Sequence, residues 1–513
     1  MNSRTALRKT LLMIGIFAAA APMASLASDR FSPLREAIRQ EMVEQGIPGM
    51  SVAVWKNGTI LWEEGFGWAD RERRIAATPH TMFALASLSK TLTATGLMTL
   101  VQAGKVDLDR PMNDYLGDDK LTVRIGDPAA VTVRRVANHT SGLAEGSQFF
   151  YGDEVRDTPA LSETIRRYGI VVAYPGERYV YSNVGYGVLG YAIEKVSGRS
   201  YADYMREEVF LPLGMTRSAV LVPQELQPFA ATRYIHGGEP ITAYGFGEPG
   251  SAAVYSSAHD LARFGMFLLG QRQSDQRAIL SGQSIERMTS DAVPTLTRAG
   301  LVSQNSYGVG LTLSNEGGYD VIGHNGSMTG TSTVFDLVPK EKLGLVVLAN
   351  ANEYAPWTLR EKILRHMLPK WREPAAAPAA APAGPFVPEP ALVGVWKGSV
   401  HTYEGEQPMQ LQVLASGDVH VSIGEAAQSG MSSLQQPSLL NQVVFRNGEL
   451  RGSTLAQIEV SDTQRYRHTV SLRLKLRGDT LNGTASAISV YGRQGIWTYA
   501  LPYWTELKKV AAQ

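Results

Sequence analysis

Ser87 and Lys90 lie three residues apart in the stretch FALASLSK, which runs into TLTATGLMTLVQAG, an apolar segment with a helical pattern. Residues three apart share a helix face, so the hydroxyl and the amine project together into the space that the helix start borders. A serine hydroxyl is a weak nucleophile and needs a base within hydrogen-bond reach. A lysine serves when desolvation or a nearby cation leaves its amine neutral. The free N–H groups and positive dipole end of a helix N-terminus also favour an oxyanion beside Ser87. The pair thus suggests an acyl-transfer nucleophile, Ser87, with Lys90 as its base. A chance Ser-x-x-Lys is expected about once in a chain of this size, yet Lys90 is the one lysine preceded at that spacing by serine.

Two further clusters carry chemistry. In PGERYVYSNVGYGVLG, Tyr181-Ser182-Asn183 forms the one Tyr-x-Asn of the chain, at a turn entering another helical segment. A phenol bonded to a lysine can relay a proton to a leaving group, and a neighbouring amide can bind both the lysine and a substrate carbonyl. Ser182 or Asn183 can equally cap the helix, and the two roles are compatible. In GHNGSMTG, His324, Gly326 and Ser327 precede the strand-like TSTVFDLVP. Glycine there lets a substrate backbone approach a sheet edge, and the imidazole offers a positive or donor group. His236-Gly237-Gly238 and Lys342-Leu343-Gly344 fit the same text, but His236 sits in a turn-rich stretch and Lys342 in a hairpin connection, so His324 is preferred.

The elements that must hold these groups follow from periodicity. Helices are expected over roughly 33–45, 88–104, 185–208 and 356–369, and strands in MSVAVWKNGTILWEEGFG, where Asn57-Gly58 signals a hairpin. Further strands are expected in SYGVGLTLS, YDVIGHNG, TSTVFDLVP and KLGLVVLAN. Strands at both ends with helices between predict an antiparallel sheet assembled from both ends and covered by helices. At 513 residues the chain exceeds one ordinary core. The tract EPAAAPAAAPAGPFVPEP marks a Pro/Ala linker over 373–388, separating a domain over 28–372 from one over 389–513. Short alternating runs after the linker predict a small all-β barrel or sandwich, with Trp396, Trp497 and Trp504 in its core rather than forming a sugar platform. Capping the groove, mediating oligomerisation and binding cell-wall glycan stay open as roles for it.

Composition narrows the function classes. Hydrophobic residues make up 44%, charged residues 19%, and the net charge is +1, a balance that argues against nucleic acid and strongly acidic partners. There is no cysteine, which excludes thiol catalysis, disulfides and Cys-based zinc sites. Arg4, Arg8 and Lys9 precede LLMIGIFAAAA, and Ser25-Leu26-Ala27 offers a cleavage point. Residues 1–27 therefore read as a signal peptide, with the protein exported to the periplasm or secreted and no stable membrane span after cleavage.

Seven ordered stretches resemble the serine β-lactamase and penicillin-binding-protein family, in its class C β-lactamase, DD-peptidase, D-aminopeptidase and esterase branch. They are FALASLSK, ANHTSGL (137–143), PGERYVYSNVGYGVLG, PLGM (212–215), VYSSAHDLARF (254–264), YGVG (307–310) and GHNGSMTG. The resemblance spans about residues 30–370. It implies an α+β fold, an antiparallel sheet flanked by helices beside a helical subdomain, with the site in the groove between them. Carried over, Ser87 is the nucleophile, Lys90 the base and Tyr181 the proton relay. Asn183 holds the substrate amide, His324 and Gly326 form the third motif, and the backbone N–H groups of Ser87 and Ser327 form the oxyanion hole. Class C β-lactamases usually carry Lys-Thr-Gly where this chain has His324-Asn325-Gly326. Histidine there is similar to D-aminopeptidases, alkaline D-peptidases and some DD-carboxypeptidases. The resemblance therefore implies a peptidase or amidase acting on D-residue or other small acyl substrates, small molecules or short peptides, without cofactor or metal and with homo-oligomers possible. The alternatives are a β-lactamase or carboxylesterase at the same site, or a non-catalytic sensor of penicillin or cell-wall peptide. Neither Gly-x-Ser-x-Gly nor His-Glu-x-x-His occurs, which disfavours an α/β-hydrolase and the commonest zinc peptidase.

Overall fold

The Asn57-Gly58 hairpin forms as its sequence demands. Asn57 has φ 52° and Gly58 φ 76°, and two successive left-handed residues make the tight turn that joins strands Gly49–Lys56 and Thr59–Asp70. The structure, a computed structural model, describes residues 29–510 apart from 236–237, 242–243, 291, 297–301, 373–384, 425–436 and 492–495. The expected signal peptide, most of the expected linker and His236 lie outside the described residues.

The hairpin is one end of a nine-stranded antiparallel sheet. From the far edge its order is Val293–Leu296, Val302–Tyr307, Thr312–Glu316, Tyr319–Met328, Thr331–Val338, Leu343–Ala349, Gly49–Lys56, Thr59–Asp70 and Ile75–Ala76. The first strand of the chain pairs with the last of this sheet, Met50 opposite Ala349 through Lys56 opposite Leu343. The sheet is thus assembled from both ends of the segment, as expected. Its interior strand GMSVAVWK is apolar without alternation because both faces are covered. Val52 and Val54 pack with Leu34, Ile38, Leu359 and Ile363 of helices Ser32–Gln45 and Ala355–Met367, while Ala53 and Trp55 face Phe264 and Phe335 in the other core. Lys342, with φ 48°, sits in the connection between strands Thr331–Val338 and Leu343–Ala349, where the sequence had placed it.

The helical part centres on Ser89–Gln102, buried almost all round, and Asn183–Ser197 packed beside it. The helix expected over 185–208 is broken. Gly198 adopts φ 70° and closes the first segment, and Ser200 accepts from the Asp203 N–H to start the next, Tyr201–Met205, which continues as a π-helix over Arg206–Phe210. A left-handed glycine followed by a capping serine outweighs the apolar periodicity running through them.

After the linker the strands form an antiparallel meander whose first member, Gly394–Thr402, pairs with its last, Ile496–Lys509. The result is a near-barrel with its opening between Ser438–Leu439 and Asn441–Arg446. Trp396 lies in the interior, but Trp504 points outward and is buried against Ala144, Ile170 and Val172 of the preceding part, and Trp497 is 43% exposed, which corrects the expectation that all three form the core of the near-barrel. The last strand continues beyond the near-barrel. Tyr499 pairs with Gln148 and Ala500 with Ser147, and strand Ser147–Tyr151 pairs in turn with Tyr244–Phe246. No helix among the described residues is long and apolar enough to cross a membrane.

Candidate active site

Strand Phe83–Ala84, paired with Val254–Ser256, delivers the chain to a 3-10 turn over Ala86–Leu88 that leads directly into helix Ser89–Gln102. Ser87 sits in that turn. Ala86, just before it, has φ 49°, a left-handed conformation that a residue with a Cβ adopts only when its surroundings over-determine it. Those surroundings are on both sides. Leu85 donates its N–H to Val254 at 2.9 Å, Val254 donates to Ser89 Oγ at 3.0 Å, and Thr331 and Thr333 donate their hydroxyls to the Ala84 and Leu85 carbonyls at 3.0 and 3.1 Å.

Lys90 is fully buried, and its Nζ has three neighbours: Asn183 Oδ1 at 2.7 Å, the Ser251 carbonyl at 3.0 Å and Ser87 Oγ at 3.2 Å. Burial brings its pKa down from 10.5 to about 7, opposed by the charge of Glu248. In the neutral amine the two hydrogens go to the two carbonyl oxygens, which can only accept. The remaining lone pair faces Ser87, whose hydroxyl then donates to it. Once it has taken that proton, the ammonium has an acceptor for each of its three hydrogens.

Tyr181 completes the cluster. Lys90 Nζ lies 4.8 Å from its ring centroid, and the Tyr181 hydroxyl interacts electrostatically with Ser87. Burial raises its pKa, the Ser87 interaction opposing, so it stands as a neutral phenol. Ser182 is the N-cap: its hydroxyl accepts from the Gly185 N–H at 3.0 Å and donates to the Ala144 carbonyl at 2.7 Å. Capping by Ser182 thus fixes the backbone that places Tyr181 before the helix and Asn183 at its first position.

The third motif lies on strand Tyr319–Met328. That strand pairs with Thr312–Glu316 only as far as Gly323, so residues 324–328 have a strand partner on one side alone among the described residues. Gly326 is pressed against the nucleophile turn, where an added Cβ would stand 2.1 Å from the Leu85 carbonyl. Ser327, beside it, bonds its hydroxyl to Asn352 Oδ1 at 2.9 Å. His324 already has partners within the chain. Its Nδ1 lies 2.6 Å from the Asn325 carbonyl and must carry the hydrogen, so Nε2 accepts from the Tyr307 hydroxyl at 2.9 Å. Burial, reinforced by the Lys90 charge, takes its pKa down to about 3, leaving a neutral ring.

The structure therefore brings Ser87, Lys90 and Asn183 into one hydrogen-bonded set with the Tyr181 ring beside Lys90, Gly326 against the turn and His324 two residues away on the same strand. Sequence reasoning missed Ser251, Glu248, Tyr307 and His139. Glu248 is buried, accepts from the backbone of Gln148, has no hydrogen-bond partner for Oε2 among the described residues, and is raised by burial to about 8. His139, left-handed at φ 63°, accepts the Ser182 N–H at Nδ1 (3.1 Å). Its Nε2 has no hydrogen-bond partner among the described residues and lies amid the rings of Tyr181, Tyr186 and Tyr307. ANHTSGL and YGVG contained His139 and Tyr307 as landmarks, but nothing in those texts announced that the two rings would meet at the site.

A serine-lysine-tyrosine cluster where a helical region meets an antiparallel sheet defines a class of protein, the serine hydrolases of β-lactamase type. A family model, Beta-lactamase, matches residues 34–365, and the chain belongs to that family. Among curated relatives, Protein flp of Staphylococcus aureus (strain N315) is 26% identical over 350 residues, which are 67% of this chain and 66% of that protein. The chain thus spans just under two thirds of that relative's length. Among solved structures, SurE superposes with a TM-score of 0.61 at 19% identity, covering 94% of this chain and 99% of that one. The octameric penicillin-binding protein homologue from Pyrococcus abyssi superposes with a TM-score of 0.57 at 23% identity, covering 93% and 99%. Both likenesses extend through the C-terminal near-barrel, and they establish the fold.

Proposed function

We propose that the protein is a serine peptidase or amidase that forms an acyl-enzyme at Ser87 from D-residue or other small acyl substrates. The observation that carries this reading is the arrangement of hydrogens around Lys90, which turns a lone pair toward Ser87 Oγ at 3.2 Å. In the proposed reaction the Ser87 proton passes to Lys90 as Oγ attacks the substrate carbonyl. The oxyanion is held by the backbone N–H groups of Ser87 and Ser327. The proton then travels through Tyr181 to the leaving amine, the carbonyl re-forms as an ester on Ser87, and water releases the acid by the same relay in reverse. Asn183 gives its Oδ1 to Lys90 and turns its amide N–H2 to the substrate carbonyl.

The choice of substrate rests on His324. A neutral ring committed to Tyr307 and Asn325 supplies no cation for a substrate carboxylate, which supports amides or esters without one. SurE, whose fold this chain shares, has been solved with D-Leu, in keeping with a D-residue substrate. The N-terminal basic and apolar pattern supports export to the periplasm or secretion. The octameric state of the Pyrococcus abyssi homologue makes a homo-oligomer part of the proposal.

The test pairs labelling with turnover. A serine-directed phosphonate should add to the wild type and not to Ser87→Ala, read by mass spectrometry. The purified protein should then turn over D-aminoacyl amides in preference to D-Ala-D-Ala peptides, short-chain esters and a chromogenic cephalosporin. Labelling at another serine removes the mechanism. A single burst of acyl-enzyme without turnover makes the protein a sensor, and preference for the cephalosporin makes it a β-lactamase.

A further inference from the structure

Away from the Ser87 cluster, three side chains of metal-ligand type converge from separate parts of the chain. Glu63 lies on strand Thr59–Asp70, His80 in the loop before strand Phe83–Ala84, and His259 in the first turn of helix Ala258–Leu268. His259 Nδ1 is 2.8 Å from Glu63 Oε2, the two imidazole rings are 4.7 Å apart between centroids, and the ligand atoms of all three residues lie within 4.8 Å of one another. The His259 N–H donates to the Pro79 carbonyl at 3.1 Å, so the backbones of the two histidine segments are tied together. Glu63 and His259 are half-buried and His80 is exposed.

We propose that Glu63, His80 and His259 form a site for one divalent transition ion of the zinc type. Imidazole nitrogen and carboxylate oxygen are the donors that such ions prefer when no thiolate is present, and this chain has no cysteine to compete. At bond lengths of about 2.0–2.2 Å, tetrahedral ligand atoms stand roughly 3.4 Å apart. The Glu63–His259 pair needs only to open slightly for this. The exposed His80 closes the remaining gap by turning its side chain, for which solvent leaves room. Three protein donors leave a fourth position for water.

The ion cross-links the sheet, the loop and the helix next to the path leading to the nucleophile. His80 stands shortly before Phe83, which pairs with Ser256, and Ser256 stands shortly before His259. Binding therefore braces strand Phe83–Ala84, which runs into the Ser87 turn, and its effect is on stability rather than on the chemistry at Ser87. Sequence patterns do not show the site because its members come from distant segments and match no ligand spacing.

The test uses the full chain without an affinity tag, stripped with chelator and dialysed. Zinc titration by calorimetry should show one ion per chain and a rise in Tm, and cobalt should give the visible spectrum of a four-coordinate nitrogen and oxygen set. His80→Ala and Glu63→Gln should each weaken zinc binding at least tenfold and abolish the Tm rise. His401→Ala, which removes a separate histidine–glutamate contact (His401 Nδ1 to Glu406 Oε1, 3.0 Å), should change neither. His80 is exposed, so its truncation does not endanger the fold. No binding by the wild type at micromolar zinc, or binding undiminished in both His80→Ala and Glu63→Gln, overturns the proposal.

Discussion

Lys90 can take a proton from Ser87 only when neutral, and two opposed forces set how often it is. Burial lowers its pKa to about 7, and Glu248 pulls the other way by favouring the ammonium. Activity should therefore rise with pH along a limb near 7. In Glu248→Gln the attraction is gone, the Lys90 pKa falls further, and the limb moves to lower pH. Because burial leaves Glu248 largely protonated below its own pKa of about 8, the displacement should stay below about one unit, or about 1.4 kcal/mol of differential interaction. The measurement is kcat/KM against pH for both proteins, and an upward move of the limb refutes the coupling. Tyr181 and Lys90 both contact Ser87, so Lys90→Ala and Tyr181→Phe should each cost several orders of magnitude, while the double variant should cost little more than the worse single one. Strictly additive losses would mean that they act separately. The residues legible in the sequence are those whose geometry is local. Ser87 and Lys90 share a helix turn, and Tyr181 and Asn183 flank a capping serine. Glu248, Ser251 and Tyr307 reach the site from other segments, and only tertiary packing brings them there.

Among the elements, the unpaired edge of strand Tyr319–Met328 and the 3-10 turn Ala86–Leu88 fit each other through Gly326. The turn cannot yield to a side chain there, because the Leu85 carbonyl is held by Thr333 and the Leu85 N–H by Val254. Gly326→Ala should therefore push the strand edge and the nucleophile turn apart, costing about 1–3 kcal/mol of stability. The loss of rate should be larger, on the order of 100-fold, since displacements of about 1 Å in a catalytic group cost that much. Comparing kcat with the thermal midpoint separates the two effects, and wild-type kcat in the variant would show that the turn relaxes freely. The sheet built from both chain ends was legible because buried strands and the Asn57-Gly58 turn leave strong local marks. The break at Gly198 was less so, because apolar periodicity continues across it and only the cap residues betray the stop. Strand Glu449–Thr454, ELRGST, has too little alternation to stand out, and its neighbours' hydrogen bonds recruit it into the meander.

At the scale of the whole molecule, the Pro/Ala tract suggests two parts joined by a tether, yet the near-barrel is docked. Strand pairing through Tyr499 and Gln148 joins the two parts. The ion pair Arg465–Glu154 (2.7 Å) and the bond from the Tyr151 hydroxyl to the Trp497 carbonyl (2.6 Å) lie near it, and the ion pair Arg477–Glu177 (2.6 Å) joins the two parts farther along. Two buried carboxylates add anchors: Glu449 pairs with Arg178, and Asp462 accepts both from Arg167 at 2.9 Å and from the Tyr168 hydroxyl. Such contacts couple the melting of the two parts, so calorimetry of the full chain should show one cooperative transition. Asp462→Ala leaves the Tyr168 hydroxyl without its acceptor and Arg167 with Glu163 alone. Because Arg167 keeps some solvent contact, the cost should fall below the 3–5 kcal/mol typical of a broken buried pair, at about 2–3 kcal/mol. The decisive reading is the shape of the trace. If docking is what unites the parts, the variant should melt at lower temperature and begin to resolve a second transition, whereas two resolved transitions already in the wild type, unmoved by Asp462→Ala, would mean that the near-barrel is merely tethered.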